Sequence, residues 1–83
     1  MPNVVLLKKA EKELSNIDHR YEDRILTALF VLKEEPYKGK KLIGVLSEFF
    51  SLKVWPYRII YFLNEEKQEV VIAKISHRQG SYT

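Results

Sequence analysis

The sequence predicts an α+β domain: two N-terminal helices packed on one face of a small antiparallel sheet, in the order (β)ααβββ. Three observations predict it. Apolar residues recur three and four apart up to Pro36, the period of a helix with one buried stripe. From Phe49 onward the period becomes two, and the residues become aromatic and β-branched. Short turns separate the later runs, so successive strands fold back as antiparallel hairpins.

The elements follow in chain order. Residues 3–7, with the apolar run Val4-Val5-Leu6-Leu7, add an N-terminal edge strand. Ala10, Leu14 and Ile17 mark a short amphipathic helix among Lys8, Lys9, Glu11, Lys12 and Glu13, and Ser15-Asn16 ends it. Asp18 caps the second helix, and Tyr21-Glu22-Asp23 bring acid to its first turn. Ile25, Ala28, Leu29 and Leu32 form its stripe, and Leu26, Phe30 and Val31 widen it, so this helix is expected to be buried over much of its surface. Pro36 stops it. The segment Tyr37-Lys38-Gly39-Lys40-Lys41-Leu42-Ile43-Gly44 is either a solvated loop or a flexible basic arm that touches a phosphate backbone. Phe50, Leu52 and Val54 then face one way, and Phe49, Ser51, Lys53 and Trp55 the other. Pro56 turns the chain into the strand Tyr57 to Leu63. A polar turn, Asn64 to Gln68, leads into the last strand, Glu69 to Ile75.

A chain of 83 residues holds one domain, over residues 1–83. With no cysteine there is no disulfide framework and no thiolate metal site, and His19 and His77 are too few for a zinc centre. The net charge of +3 is unevenly placed: residues 1–36 carry six Lys/Arg and seven Asp/Glu, residues 37–83 eight and four. The basic half favours a polyanionic partner, nucleic acid or an acidic protein segment. The short run at Val4 has no basic stretch before it and is far below the ~18 apolar residues of a membrane span, so the expected location is the cytoplasm, with no membrane partner.

No phosphate-binding glycine loop, paired-histidine helix or Ser/His/Asp order is present. Carboxylates are scarce in the sheet half, with only Glu48 near the basic strands, so neither a metal nor a cofactor is expected. Cations and hydroxyls stand out instead. Ser51 and Lys53 share a strand face, Arg58 opens the next strand, His77-Arg78 follows the last, and Tyr82 lies near the C-terminus. Hairpin geometry gathers Lys53, Arg58, His77 and Arg78 at one end of the sheet. Such a cluster suits RNA cleavage without a metal, in which the 2′-OH attacks the adjacent phosphorus. Guanidiniums match phosphate oxygens bidentately and stabilise the developing charge, and a neighbouring Lys, His or Tyr moves the protons. Each residue also has an ordinary reading as a strand-edge cation, a surface histidine or a tail residue. Spacing by itself leaves a polyanion-binding module and an enzyme equally open.

The stretch from Leu42 to Tyr82 resembles the RelE/ParE superfamily of toxins from toxin–antitoxin pairs. Leu52-Lys53-Val54, running through a short turn into Tyr57-Arg58-Ile59-Ile60-Tyr61, is similar to the family's strand-turn-strand signature. Val70-Val71-Ile72-Ala73-Lys74-Ile75 follows the polar turn, and Ser76-His77-Arg78-Gln79-Gly80-Ser81-Tyr82 resembles the closing Gly-His-Arg-x-x-x-Tyr. Lys9-Ala10-Glu11-Lys12-Glu13-Leu14 resembles the family's first helix. The resemblance implies a ribosome-dependent endonuclease that cuts mRNA in the ribosomal A site, with no metal. It assigns Lys53 to activation of the 2′-OH or to the phosphorane, Arg58 to phosphate binding and Arg78 to phosphate stabilisation or leaving-group protonation. Tyr82 stacks on or orients the substrate, and His77 is a candidate general acid. Lys38, Lys40, Lys41 and Ser51 are expected to touch RNA or ribosome. Ser51 stands where some members carry a second basic residue, Trp55-Pro56 replaces a Gly-Asp type of turn, and Ser76 stands where glycine is usual. The ParE branch shares the fold and poisons DNA gyrase, and a non-toxic binding protein of this fold is a third class. The resemblance also implies a cognate antitoxin, expected as an acidic amphipathic segment near the cationic end and Phe49, Trp55 and Phe62.

Overall fold

The computed structural model of the chain describes residues 2–78. Strand β1 (Asn3–Leu6) leads into α1 (Lys8–Ser15) and, through a single 3-10 turn at His19–Tyr21, into α2 (Glu22–Glu34). A two-residue strand, β2 (Lys40–Lys41), and a 3-10 turn at Gly44–Leu46 precede β3 (Phe49–Val54), β4 (Tyr57–Asn64) and β5 (Glu69–His77). The five strands form one sheet in the order β1-β5-β4-β3-β2.

The β3-β4-β5 meander and the two helices stand as expected, and the edges of the sheet differ. β1 pairs parallel to β5, Val4 opposite Val70 and Leu6 opposite Ile72, so the sheet is mixed rather than wholly antiparallel. Both helices lie between β1 and the rest of the sheet in sequence, so no tight hairpin fixes the direction of β1. At the other edge the basic segment is neither loop nor arm throughout: Lys40 pairs with Ser51 and Lys41 with Phe50. Backbone pairing at an edge needs no apolar pattern, and two exposed lysines there discourage a further strand.

Both helices pack on the face that carries Phe50, Val54, Ile59, Tyr61, Val70, Ile72 and Ile75. From α1 and the turn after it, Ala10 and Ile17 enter this core; from α2 come Ile25, Ala28, Leu29 and Leu32. α1 also closes an edge. Beyond the end of β1, the Ile75 backbone N–H donates to the Glu13 carboxylate at 2.8 Å, as the Leu7 N–H does to the Ile72 carbonyl at 3.0 Å. Glu13 thus satisfies a sheet donor that would otherwise lack a strand. The residues expected to widen the α2 stripe are only partly covered: Leu26 is 46% and Phe30 64% exposed, while Val31 is half-buried. One face of the helix packs toward the sheet, from β1 to β3, and Leu26 and Phe30 lie outside that face.

The α2–β2 connection is tied down by Tyr61. Its hydroxyl donates to the Pro36 carbonyl and accepts from the Gly39 N–H, both at 2.9 Å. A Cβ on Gly39 would sit 2.6 Å from that hydroxyl and 3.1 Å from the Ser51 carbonyl, so close approach requires glycine here. Burial raises the pKa of the Tyr61 phenol, against the Gly39 N–H that lowers it.

Candidate functional site

The sheet face away from the helices carries the cations. Lys53 on β3 stands directly opposite Arg58 on β4, and Arg58 opposite Ser76 on β5. In the next row lie Lys40, Ser51, Ile60 and Lys74, each opposite the one before. Directly opposite residues in a ladder share a face. Alternation therefore delivers Lys53, Arg58 and Ser51 to one surface, while Leu52, Val54 and Ile59 point to the core. A cleft of about 510 Å³ opens there, lined by Lys40, Lys41, Leu42, Ile43, Ser51, Lys53 and Arg58. Its ionisable groups are all cations, so the cleft attracts anions, and the Arg58 fork suits a phosphate. β2 lines it because Lys40 and Lys41 pair onto β3.

Other expected residues fall differently. His77 pairs with Tyr57, whose neighbour across the sheet is Val54, so its ring lies on the helix face, edge-on to Tyr57 at 5.4 Å and 85°. It shares an end of the sheet with Lys53 and Arg58 but not their surface. β5 runs through Ser76 and His77, so the period of two continues and sets consecutive residues on opposite sides. Arg78 follows the strand: its N–H donates to the Pro56 carbonyl at 2.7 Å, and its guanidinium lies 5.9 Å from the Trp55 ring centre. Lys38 is exposed in the connection after α2 and does not line the cleft. Tyr82 lies outside the described residues.

The β3–β4 turn carries Trp55, 54% exposed. The Trp55–Pro56 peptide is cis. The Trp55 carbonyl accepts from the Arg24 guanidinium at 2.9 Å, and its ring meets Tyr21 edge-on at 6.4 Å. Tyr57 in turn accepts the Asp18 N–H at 3.0 Å, which locks the turn between the helices to the sheet. Phe49 and Phe62 pack edge-to-face at 5.6 Å on the open side and are half-buried.

Two features of the site were not expected. A bulge shifts the β4–β5 register between Ile60 and Tyr61, so that Tyr61 faces Ile72, Ile60 faces Lys74 and Ala73 is the extra residue. Among the described residues the Ser76 hydroxyl is buried without a hydrogen-bond partner, beside Arg58. Its unusual place before His77-Arg78 was the sequence signal for it. No group of three or more His, Asp or Glu among the described residues is placed to hold a metal ion. No helix among them is long and apolar enough to cross a membrane.

Residues 4–82 match the family model of the ParE toxin of type II toxin–antitoxin systems, parDE. The chain is 34% identical over 70 residues to the toxin RelG of Mycobacterium tuberculosis, across 77% of this chain and 80% of that protein. Among solved structures it is similar to a toxin in the RelBE2 toxin–antitoxin complex of M. tuberculosis, with TM-score 0.85, 30% identity and coverage of 94% of this chain and 100% of that one. It also matches the archaeal RelE–RelB complex of Pyrococcus horikoshii, with TM-score 0.75, 24% identity and coverage of 96% and 98%. The intact Escherichia coli RelBE complex shares the fold, with TM-score 0.80 at 16% identity over 93% and 96%.

Proposed function

Since this chain belongs to the RelE/ParE superfamily as a toxin of a type II toxin–antitoxin system, we propose that it is a ribosome-dependent endoribonuclease that cuts mRNA without a metal. The observation that carries this reading is the Lys53–Arg58 pair at the floor of a cleft with Lys40, Lys41 and Ser51. A phosphodiester in that cleft meets cations and a hydroxyl. The 2′-oxygen attacks the adjacent phosphorus, its proton passes to a base, and the bond to the 5′ oxygen breaks as that oxygen gains a proton. The products are a 2′,3′-cyclic phosphate and a 5′-hydroxyl. Arg58 holds the non-bridging oxygens and stabilises the phosphorane. Lys53, opposite it, takes the 2′-OH proton when its amine is neutral and shares the phosphorane charge when it is an ammonium. The family resemblance adds Arg78, which lies by the Trp55 ring outside the cleft, and Tyr82, which falls outside the described residues. His77, on the helix face, has the least direct line to the phosphate, so proton transfer rests first on Lys53.

The structures of the M. tuberculosis, E. coli and P. horikoshii relatives are toxin–antitoxin complexes. By the same reading this chain pairs with a cognate antitoxin and, when released from it, acts on mRNA in the ribosome. A second reading is favoured by the match to the ParE model: inhibition of DNA gyrase without RNA cleavage.

The test induces the chain in a bacterial host and maps new mRNA ends within minutes, beside Arg58→Met and Lys53→Met. Cleavage in translated frames is expected, reduced about a hundredfold or more in each variant. Intact mRNA with trapped gyrase–DNA complexes would sink the nuclease reading in favour of the gyrase one. Intact mRNA with normal growth would leave a binding protein of this fold.

A further inference from the structure

Helix α2 carries apolar residues on two faces. Ile25, Ala28, Leu29 and Leu32 are buried in the core, whereas Leu26 and Phe30 are exposed. These two lie four residues apart, so they are neighbours on the helix surface. One turn to either side, Asp23 is exposed and Lys33 half-buried. We propose that this outward face is a dimer contact, on which a second copy of the chain lays its own α2 antiparallel.

Three observations carry it. The first is spacing. Asp23, Leu26, Phe30 and Lys33 follow at steps of three, four and three, the pattern of a seam along which two helices pack side by side. Leu26 and Phe30 form its apolar centre, and the two charges form its ends, about 15 Å apart along the axis. The second is self-complementarity. A two-fold contact sets residue i against j and j against i. With two antiparallel helices centred level with Ala28, Leu26 meets Phe30 of the second copy and Asp23 meets its Lys33, each contact occurring twice. The apolar centre pairs with itself, and each charge finds the opposite sign. Parallel helices would set Asp23 on Asp23 and Lys33 on Lys33, so the charges select the antiparallel arrangement. Among the described residues neither Asp23 nor Lys33 has an ion-pair partner within the chain. The third is the charge of the helix. α2 carries Glu22, Asp23 and Glu34 against Arg24 and Lys33. An acidic segment or a nucleic acid gains nothing here of what attracts it to the cationic side of the sheet. A face that does not attract polyanions and that matches itself fits a second copy.

The contact is small. The 13 residues of α2 span about 20 Å, and one helix-on-helix seam of that length buries less than the ~1,000 Å² of a stable interface. The dimer is therefore weak, and dilute protein is monomeric. The helices lie on the sheet face opposite the cationic cleft, so the two clefts of the dimer stay open on its outer sides. The inference does not depend on whether that cleft cuts RNA.

Sedimentation velocity of the purified chain from about 10 μM to about 1 mM tests this. A rise from monomer to dimer mass is expected across that range. Phe30→Ser takes two rings out of each dimer seam and weakens association about tenfold or more. Asp23→Lys and Lys33→Asp each set like charges against one another and weaken self-association by about tenfold. An equimolar mixture of these two variants regains the association of the parent, because one then carries two cations on its seam and the other two carboxylates. Far-UV circular dichroism, expected at parental helix content in each variant, separates a lost contact from a lost fold. A chain that stays monomeric to about 1 mM would overturn the proposal. A dimer indifferent to Phe30→Ser and to both charge reversals would place the contact on another surface and overturn it as well. So would a monomeric chain that binds an acidic amphipathic peptide and loses that affinity in Phe30→Ser, which would assign the face to a partner segment.

Discussion

Tyr61 shows what one side chain controls. It stacks on Phe50 at 5.2 Å within the core and holds the α2–β2 connection through Pro36 and Gly39. That connection carries Lys40 and Lys41 to the cleft, so a phenol on the core side positions cations on the other. Tyr61→Phe keeps the ring and removes the hydroxyl, leaving a half-buried N–H and carbonyl without it. The expected cost is about 1–3 kcal/mol, read by denaturant unfolding. Gly39→Ala should also destabilise, because the new methyl meets the Tyr61 hydroxyl; an alanine variant as stable as the parent would refute the close approach. Ser51 in the cleft contributes a hydroxyl and no charge, so the charge there comes from Lys40, Lys41, Lys53 and Arg58.

At the scale of elements, the turn between the helices depends on one carboxylate. Asp18 accepts from the Arg20 backbone N–H at 3.0 Å and from its guanidinium at 2.8 Å. The Arg20 side-chain hydrogen bonds and then its backbone bond hold the Asp18 pKa down to about 2, from an ordinary 3.8. A depressed carboxylate pKa contributes stability that is complete above the unfolded value and is lost as pH falls through the folded one. The contribution of Asp18 should therefore fade between about pH 4 and pH 2. Carboxyl NMR should give a midpoint near 2 for Asp18 in the parent and one closer to 3.8 in Arg20→Ala. A midpoint unmoved by that substitution would remove Arg20 as the cause. The same turn is bonded to the sheet through Tyr57, so it sets how the helices sit at the cationic end.

In the described residues the molecule is a two-layer structure, with both helices on one face of the sheet. Two helices cover one face; on the other, Leu42 and Leu46 border a cleft with Phe49 and Ile60, and Phe49, Ile60 and Phe62 are half-buried. Burial separates structural from surface roles. Ile72 is fully buried between β1 and β4, and Ile72→Ala is expected to cost about 2–5 kcal/mol. Phe30, though apolar and central in α2, is mostly exposed, and Phe30→Ser should change stability by less than about 0.5 kcal/mol. Thermal unfolding of the two variants distinguishes them; a large loss at Phe30 would mean that α2 buries a face it now presents to solvent.

The sequence by itself determined the helices, the meander and the shared face of Ser51 and Lys53. Each of these follows from local periodicity, which a chain carries whatever it packs against. Arg58 joined that face through a hairpin whose short turn leaves little choice of register. Tertiary structure decided the rest. Parallel pairing of β1 and the capture of Lys40–Lys41 as an edge strand join segments far apart in sequence, where no turn sets direction. The side of the sheet that His77 faces depended on β5 continuing two residues further. The exposure of Leu26 and Phe30 depended on how much of α2 the sheet could cover. The bulge at Ala73 needed both strands in place before one residue could be extra. Periodicity fixes which residues share a side, and only packing fixes what that side meets.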